Sequence, residues 1–260
     1  MFGDNEFYTV EGATHLRDVI PTFAKGHAVV GVCSAPYKCP PAPSECALLL
    51  HDHLHKRGVR DACTITVVSP LPTPVPPSPE TSKALLAAFA DRGIEYVGNK
   101  RVVAVDRDAI KLDDGSARPC QLFLGVPRSR APDVVVAAGV TKDGWVTIDQ
   151  RTLETPFAHV WAIGDLANTG APKAGVFAEA AAKTVAANIT ALVRGQTPTA
   201  TYPGAGSCYI EIGEGRVARV DVDFFSGPKP TGTFHPPSLE LRADKIEFGS
   251  SRRARWFGVT

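Results

Sequence analysis

The sequence predicts an α/β protein: a three-layer domain on a parallel sheet with a small antiparallel insertion, then part of a second α/β unit and a small C-terminal α+β unit. Three observations carry this. The apolar runs HAVVGV (27–32) and CTITVVS (63–69) have the near-continuous hydrophobicity of strands buried on both faces. A helix-patterned segment, SECALLLHDHLHKRG, lies between them and gives the spacing of a parallel crossover. Between 100 and 126 the pattern changes to short strands around a DDG turn, which reads as an antiparallel insertion.

In chain order, the first helix is expected over 44–58, with Ser44 as N-cap and Gly58 as stop. PLPTPVPPSPE is too proline-rich for regular structure. TSKALLAAFADRGIEYV then reads as a helix ending at Gly93 and running into a strand. VVVAAGV (134–140) reads as another buried strand, and DGWVTID as a hairpin-like piece. The stretch from His159 gives a strand, a loop and a long alanine-rich helix starting near Pro172. Beyond 200, YIEIGEGRVARVDVDFF and LELRADKIEF alternate as strands do, in a small separate unit.

Composition excludes several classes. With 28 Lys and Arg against 27 Asp and Glu there is no basic field to gather nucleic acid, and no aromatic and basic residues interleave. No apolar run approaches the roughly 20 residues of a membrane-spanning helix, and MFGDNEFYTV lacks the order of a signal peptide. The compartment stays open among cytoplasmic, membrane-peripheral and periplasmic. Six cysteines are too few for a disulfide scaffold, and their gaps do not reproduce zinc spacing, so cysteine chemistry here is expected to be local and redox. His51, His53 and His55 invite a metal reading, against which a solvated helix face is the simpler account.

The loop after the first strand, CSAPYKCPPAP, stands where a dinucleotide-binding βαβ keeps G-x-G-x-x-G, and the second strand ends at Ser69 with no acidic residue for a ribose. This is a Rossmann-like unit without an NAD fingerprint. The loop still lies at the carboxyl end of a parallel strand, where open α/β sheets place ligands. Its prolines would hold Cys39 rigidly, and Lys38 with the following helix N-terminus would favour a thiolate. The loop alone leaves open that Cys33 and Cys39 are ordinary half-buried residues.

TPFAHVWAIGDLANTGAPKAGVFAEAAA (155–182) resembles the second flavin-binding motif of flavoproteins with two dinucleotide-binding domains. There Asp165 would bind the ribityl chain, Gly164 would allow close backbone approach, and Pro172, Lys173 and Ala174 with the helix amides would meet the flavin pyrimidine edge. The order KCPPAP, AIGD, PKAG, GSCY resembles sulfide:quinone oxidoreductase and the flavoprotein subunit of flavocytochrome c sulfide dehydrogenase. That resemblance implies FAD as cofactor and Cys39 and Cys208 as a redox pair flanking the flavin. It implies sulfide attack on a Cys39–Cys208 disulfide, with two electrons passed to a quinone or cytochrome. It also allows peripheral membrane contact, which Arg252, Arg253, Arg255 and Trp256 would suit, and a homodimer.

The resemblance divides the chain into an NAD-binding-like unit (1–135), the C-terminal half of an FAD-binding unit (136–198) and a small C-terminal unit (199–260). The family's G-x-G-x-x-G βαβ for the FAD pyrophosphate has no counterpart in these residues, so the sequence resembles the C-terminal part of such a flavoprotein. Two rivals remain. An NAD(P)H-dependent flavoprotein of the type II NADH dehydrogenase kind would need the missing glycine fingerprint. A non-catalytic binding subunit with the same fold would take up no FAD.

Overall fold

The computed structural model describes residues 5–259. Helix α1 (Val10–Val19) leads into β1 (Gly26–Val32), α2 (Ala42–Lys56), β2 (Cys63–Val68), α3 (Pro79–Asp91) and β3 (Ile94–Val97). A meander follows, β4 (Val102–Val105), β5 (Ala109–Leu112) and β6 (Ala117–Pro119), and then β7 (Leu122–Val126). The chain continues through α4 (Asp133–Ala137), β8 (Thr141–Lys142), β9 (Trp145–Val146) and α5 (Gly175–Val193). It ends with β10 (Ala205–Gly213), β11 (Arg216–Asp223), β12 (Thr231–Ser238) and α6 (Leu239–Phe257).

The α/β expectation holds. A parallel sheet runs in the order β3-β2-β1-β7, with Val30 facing Val67 on one side and Leu124 on the other. Ala28, Val30, Val67 and Leu124 are completely buried, as a sheet covered on both faces requires. Gly31 sits inside β1 because a Cβ there would stand 2.5 Å from the Phe123 ring and 2.8 Å from Val102.

Several boundaries move. Helix α2 begins at Ala42 behind Pro41, so Ser44 lies buried inside its first turn and is not its N-cap; proline at the helix start has no amide to satisfy. The antiparallel insertion is β4-β5-β6, while residues 122–126 join the parallel sheet beside β1. Residues 133–137 form a short helix, not a buried strand: Val134 is 76% and Val136 44% exposed, and no neighbouring strand offers them a ladder. The strand expected before Gly164 reduces to one bridge, Glu154 with Trp161. The hairpin at β8 and β9 does form, turning on Asp143 and Gly144, both at positive φ.

The C-terminal sheet is antiparallel, β10-β11-β12. LELRADKIEF is not a strand but the first half of α6, started by Ser238, whose hydroxyl accepts from the Leu241 amide. The inner face of this sheet is not separate. Ile210, Ala218 and Val220 belong to the same core as Leu48, Leu54 and Val30. Helix α5 starts at Gly175, three residues past Pro172, and packs Phe177, Ala181 and Val185 into that core. By length and composition alone it is apolar enough to cross a bilayer, with mean hydropathy 1.3. One face packs against β10 and Tyr202, while Ile189, Leu192 and Val193 on the rest of the helix are exposed.

Candidate functional site

Three segments meet at the C-terminal end of the parallel sheet. The first is the cysteine loop. Its backbone is fixed at several points: the Tyr8 hydroxyl donates to the Lys38 carbonyl (2.8 Å), the Cys39 amide donates to the Lys173 carbonyl (2.7 Å), and the Ala42 amide donates to the Cys39 carbonyl (2.9 Å). Cys39 itself is held at φ +51, in the left-handed region that a residue with a side chain occupies only when its surroundings impose it.

The Cys39 residue is exposed, but neighbouring groups crowd its sulfur, and that desolvation pushes the thiol up to about 11. The expected thiolate is therefore not favoured. Lys38 points its ammonium over the Tyr8 ring, 5.8 Å from the centroid, and the carboxylate of Glu45 outweighs the remote charge of Lys245. Cys208, half-buried on β10, is pushed up to about 12 by burial and then by the charge of Cys39. That coupling brings the two predicted cysteines into one electrostatic neighbourhood. Both are free thiols. Cys33 is half-buried away from them and raised to about 11, and Cys46, Cys63 and Cys120 are packing residues.

The second segment runs from Gly164 to Ala174. Gly164 takes φ +72, and Gly164, Asp165, Pro172, Lys173 and Ala174 all line one crevice against α5. Lys38 and Lys173 pair as a parallel bridge, so this segment is stitched to the cysteine loop. Lys173 turns inward: its ammonium donates to the Asp165 carbonyl (2.5 Å) and the Ala167 carbonyl (3.3 Å) and lies 3.6 Å from the centre of the Trp145 ring. Burial pulls it down to about 8, against the nearby charge of Asp165.

The donor set fits part of a flavin. The N-cap of helix α5, Ala174, offers no side-chain cap, so the first amides of the helix are open to negative charge, and a Cβ at Gly175 would meet only open space. Asp165 supplies a carboxylate for hydroxyl groups. The crevice itself holds about 10 Å³, room for about one water, so a flavin would lie along its rim.

The third segment is β10 with the helix that covers it. A cavity of about 340 Å³ is walled by Pro36, Tyr37, Leu71, Val75, Phe224 and Cys208 and is almost wholly apolar. On the other side of Cys208 sits a carboxylate that sequence reasoning missed. Glu45 Oε1 accepts from the Glu211 amide (2.7 Å) and from Lys245 Nζ (3.1 Å), and Lys245 also pairs with Glu211 Oε1 (2.7 Å). Glu45 opposes ionisation of Cys39, Cys46 and Cys208 alike. Its position one helical turn after the cysteine loop was a usable signal; its partner, 200 residues away, was not. His51 and His55 stack at 6.1 Å, and among the described residues no group of metal-ligating side chains forms.

The family described as pyridine nucleotide-disulphide oxidoreductase matches residues 43–187. The chain is 27% identical over 219 residues to the mitochondrial sulfide:quinone oxidoreductase of Schizosaccharomyces pombe, covering 78% of this chain and 47% of that protein. It is 25% identical over 237 residues to the mitochondrial sulfide:quinone oxidoreductase of Mus musculus, covering 87% and 52%. The chain thus spans about half the length of these relatives. The X-ray structure of the sulfide:quinone oxidoreductase from Aquifex aeolicus superposes with a TM-score of 0.77 at 21% identity, covering 95% of this chain and 62% of that one.

Proposed function

Because the chain belongs to the pyridine nucleotide-disulphide oxidoreductase family of FAD-binding flavoproteins, we propose that it serves sulfide oxidation through Cys39 and Cys208, with electrons leaving to a quinone. The observation that carries this reading is the backbone tie of Cys39 to Lys173, which sets the cysteine loop directly on the Gly164 to Ala174 segment. Residues 1–135 then form an NAD-binding-like scaffold without a fingerprint, 136–198 half of an FAD-binding unit, and 199–260 the piece that brings Cys208 to it.

In the reading proposed, hydrosulfide attacks one sulfur of a Cys39–Cys208 disulfide. The S–S bond breaks, a persulfide forms on the attacked sulfur, and the other cysteine leaves as a thiolate, so the two electrons of the broken bond stay on the protein. Asp165, Gly164 and the α5 amides would hold the flavin, and the chemistry FAD supplies when bound is acceptance of that electron pair and its transfer onward. The largely apolar cavity beside Cys208, which Lys173 also lines, has room for a small sulfur species or the ring of a quinone. Crowding around both thiols makes the leaving thiolate basic, and the charge of the neighbouring Glu45 makes it more so.

The test is an absorbance spectrum of the protein mixed with FAD and desalted, repeated after anaerobic addition of sodium sulfide. A retained flavin band that bleaches with sulfide is expected, and Cys39→Ser or Cys208→Ser should keep the band and lose the bleaching. Bleaching that survives both substitutions would sink the cysteine assignment. A band that sulfide leaves unchanged would remove sulfide as the substrate, and no retained band would favour the non-catalytic binding subunit or a flavin site completed by further chain.

A further inference from the structure

Glu45 is a carboxylate in an awkward place. Helix α2 buries it beside three thiols, Cys39 in the preceding loop, Cys46 on its own helix and Cys208 on β10. The Glu211 carboxylate from β10 opposes its ionisation, and the Tyr8 hydroxyl from the N-terminal segment feels its charge. Burial pushes its carboxyl above the ordinary range, and two groups hold it back: the Glu211 amide and the Lys245 ammonium. Without its counter-ion, a carboxylate so placed is protonated more readily.

Lys245 comes from α6, a helix with no fully buried residue of its own. Its side chain is about two-thirds covered and bridges Glu45 and Glu211, at 3.1 and 2.7 Å. The same side chain forms part of the wall of a polar cavity of about 480 Å³, together with Asp52, His53, Lys56, Glu211 and Arg242. Water in that cavity can keep the ammonium solvated while its tip reaches inward, which is how a lysine tolerates partial burial.

We propose that Lys245 is a positioning residue for the cysteine site: by pairing with Glu45 it keeps that carboxylate ionised beside Cys39 and Cys208, and the C-terminal helix thereby sets how readily the two thiols react. This rests on the reading that Cys39 and Cys208 are the reactive pair. It adds that α6 takes part in the site from outside it. The partners from each packed element are then accounted for: α2 gives the carboxylate, β10 gives Glu211 and Cys208, α6 gives the cation, and Asp165 faces Cys39 from the flavin-side loop.

A double-substitution cycle on the reduced chain, read as the rate of Cys39 alkylation by iodoacetamide against pH, tests this without flavin or sulfide. Glu45→Gln removes the negative charge and should speed alkylation at neutral pH several-fold while Lys245 is present. In Lys245→Met, Glu45 should already be protonated, so adding Glu45→Gln should change the rate little, and Lys245→Arg should restore the wild-type response. If Lys245→Met does not fold, as checked by circular dichroism, Lys245→Gln takes its place in the cycle. An equal acceleration by Glu45→Gln in both backgrounds would overturn the proposal. Loss of sulfide bleaching with an intact cycle would instead overturn the sulfide reading alone.

Discussion

Two neighbouring stretches with similar sequence texture end in opposite states. VVGV in β1 and LFLGV in β7 lie side by side in a parallel sheet, covered on both faces. VVVAAGV, at least as rich in β-branched residues, forms one exposed turn of helix. The difference is company. Val29, Val30 and Leu124 each have a strand alongside and a helix or meander above, whereas residues 133–140 have neither. Strand propensity is thus a statement about fitting a pleated, half-buried surface, and it yields nothing where that surface is missing.

The largest test of this contrast is a pair of truncations. Leu124→Ala, inside the sheet, should cost about 2–5 kcal/mol of unfolding free energy in urea, while Val134→Ala should stay within about 0.5 kcal/mol. Comparable losses at the two sites would mean that the 133–140 segment is buried in solution. Ser78→Ala comes next, because the Ser78 hydroxyl caps α3 by accepting from the Thr81 amide and is itself buried. A loss of about 1 kcal/mol is expected, and an unchanged midpoint would show that Pro79 alone starts the helix.

A smaller effect should appear at the α5 and α6 contact. Glu179 is gripped by Lys183, Arg252 and Arg255, which hold its carboxyl down at about 2. Because the folded value is depressed, the stabilisation is present in full above the ordinary glutamate range and is lost as pH falls from there toward about 2. Glu179→Gln should remove about 1 kcal/mol or less at neutral pH and flatten that part of the stability profile. A substitution that leaves the acid limb unchanged would show the three cations to be bystanders. Arg252 and Arg255 are drawn into this contact, while Arg253, Trp256 and Phe257 stay exposed outside it. Smallest of all, Val136→Lys should change stability by no more than about 0.5 kcal/mol; a collapse on making that change would again place the segment in a core.

What was legible in the sequence follows the range of the interactions. The βαβ unit and the glycine stops at Gly58 and Gly93 are local patterns and appear where they were read, and the hairpin-like piece read in DGWVTID forms with its turn at Asp143 and Gly144. The error at LELRADKIEF has a local cause too. Leu239 and Leu241 alternate like a strand, while the helix signal, Ser238 as cap, lies just outside the apolar window. The site residues of the two loops were legible as motifs, but their meeting through the Cys39 amide and the Lys173 carbonyl was not. Glu45 with Lys245 was out of reach, because nothing in a linear pattern pairs a carboxylate near the start of α2 with a lysine on the last helix.

That Cys39 amide bond carries a consequence for how the molecule is made. Lys173, Cys208 and Lys245 all follow Cys39 by more than a hundred residues. Closing so long a loop is entropically slow. Between the synthesis of Cys39 and that of Lys173 the chain therefore carries an unclamped thiol whose later neighbours do not yet exist. In that interval the cysteine loop is open to adventitious oxidation, and its backbone clamp arrives only with the segment that carries Lys173.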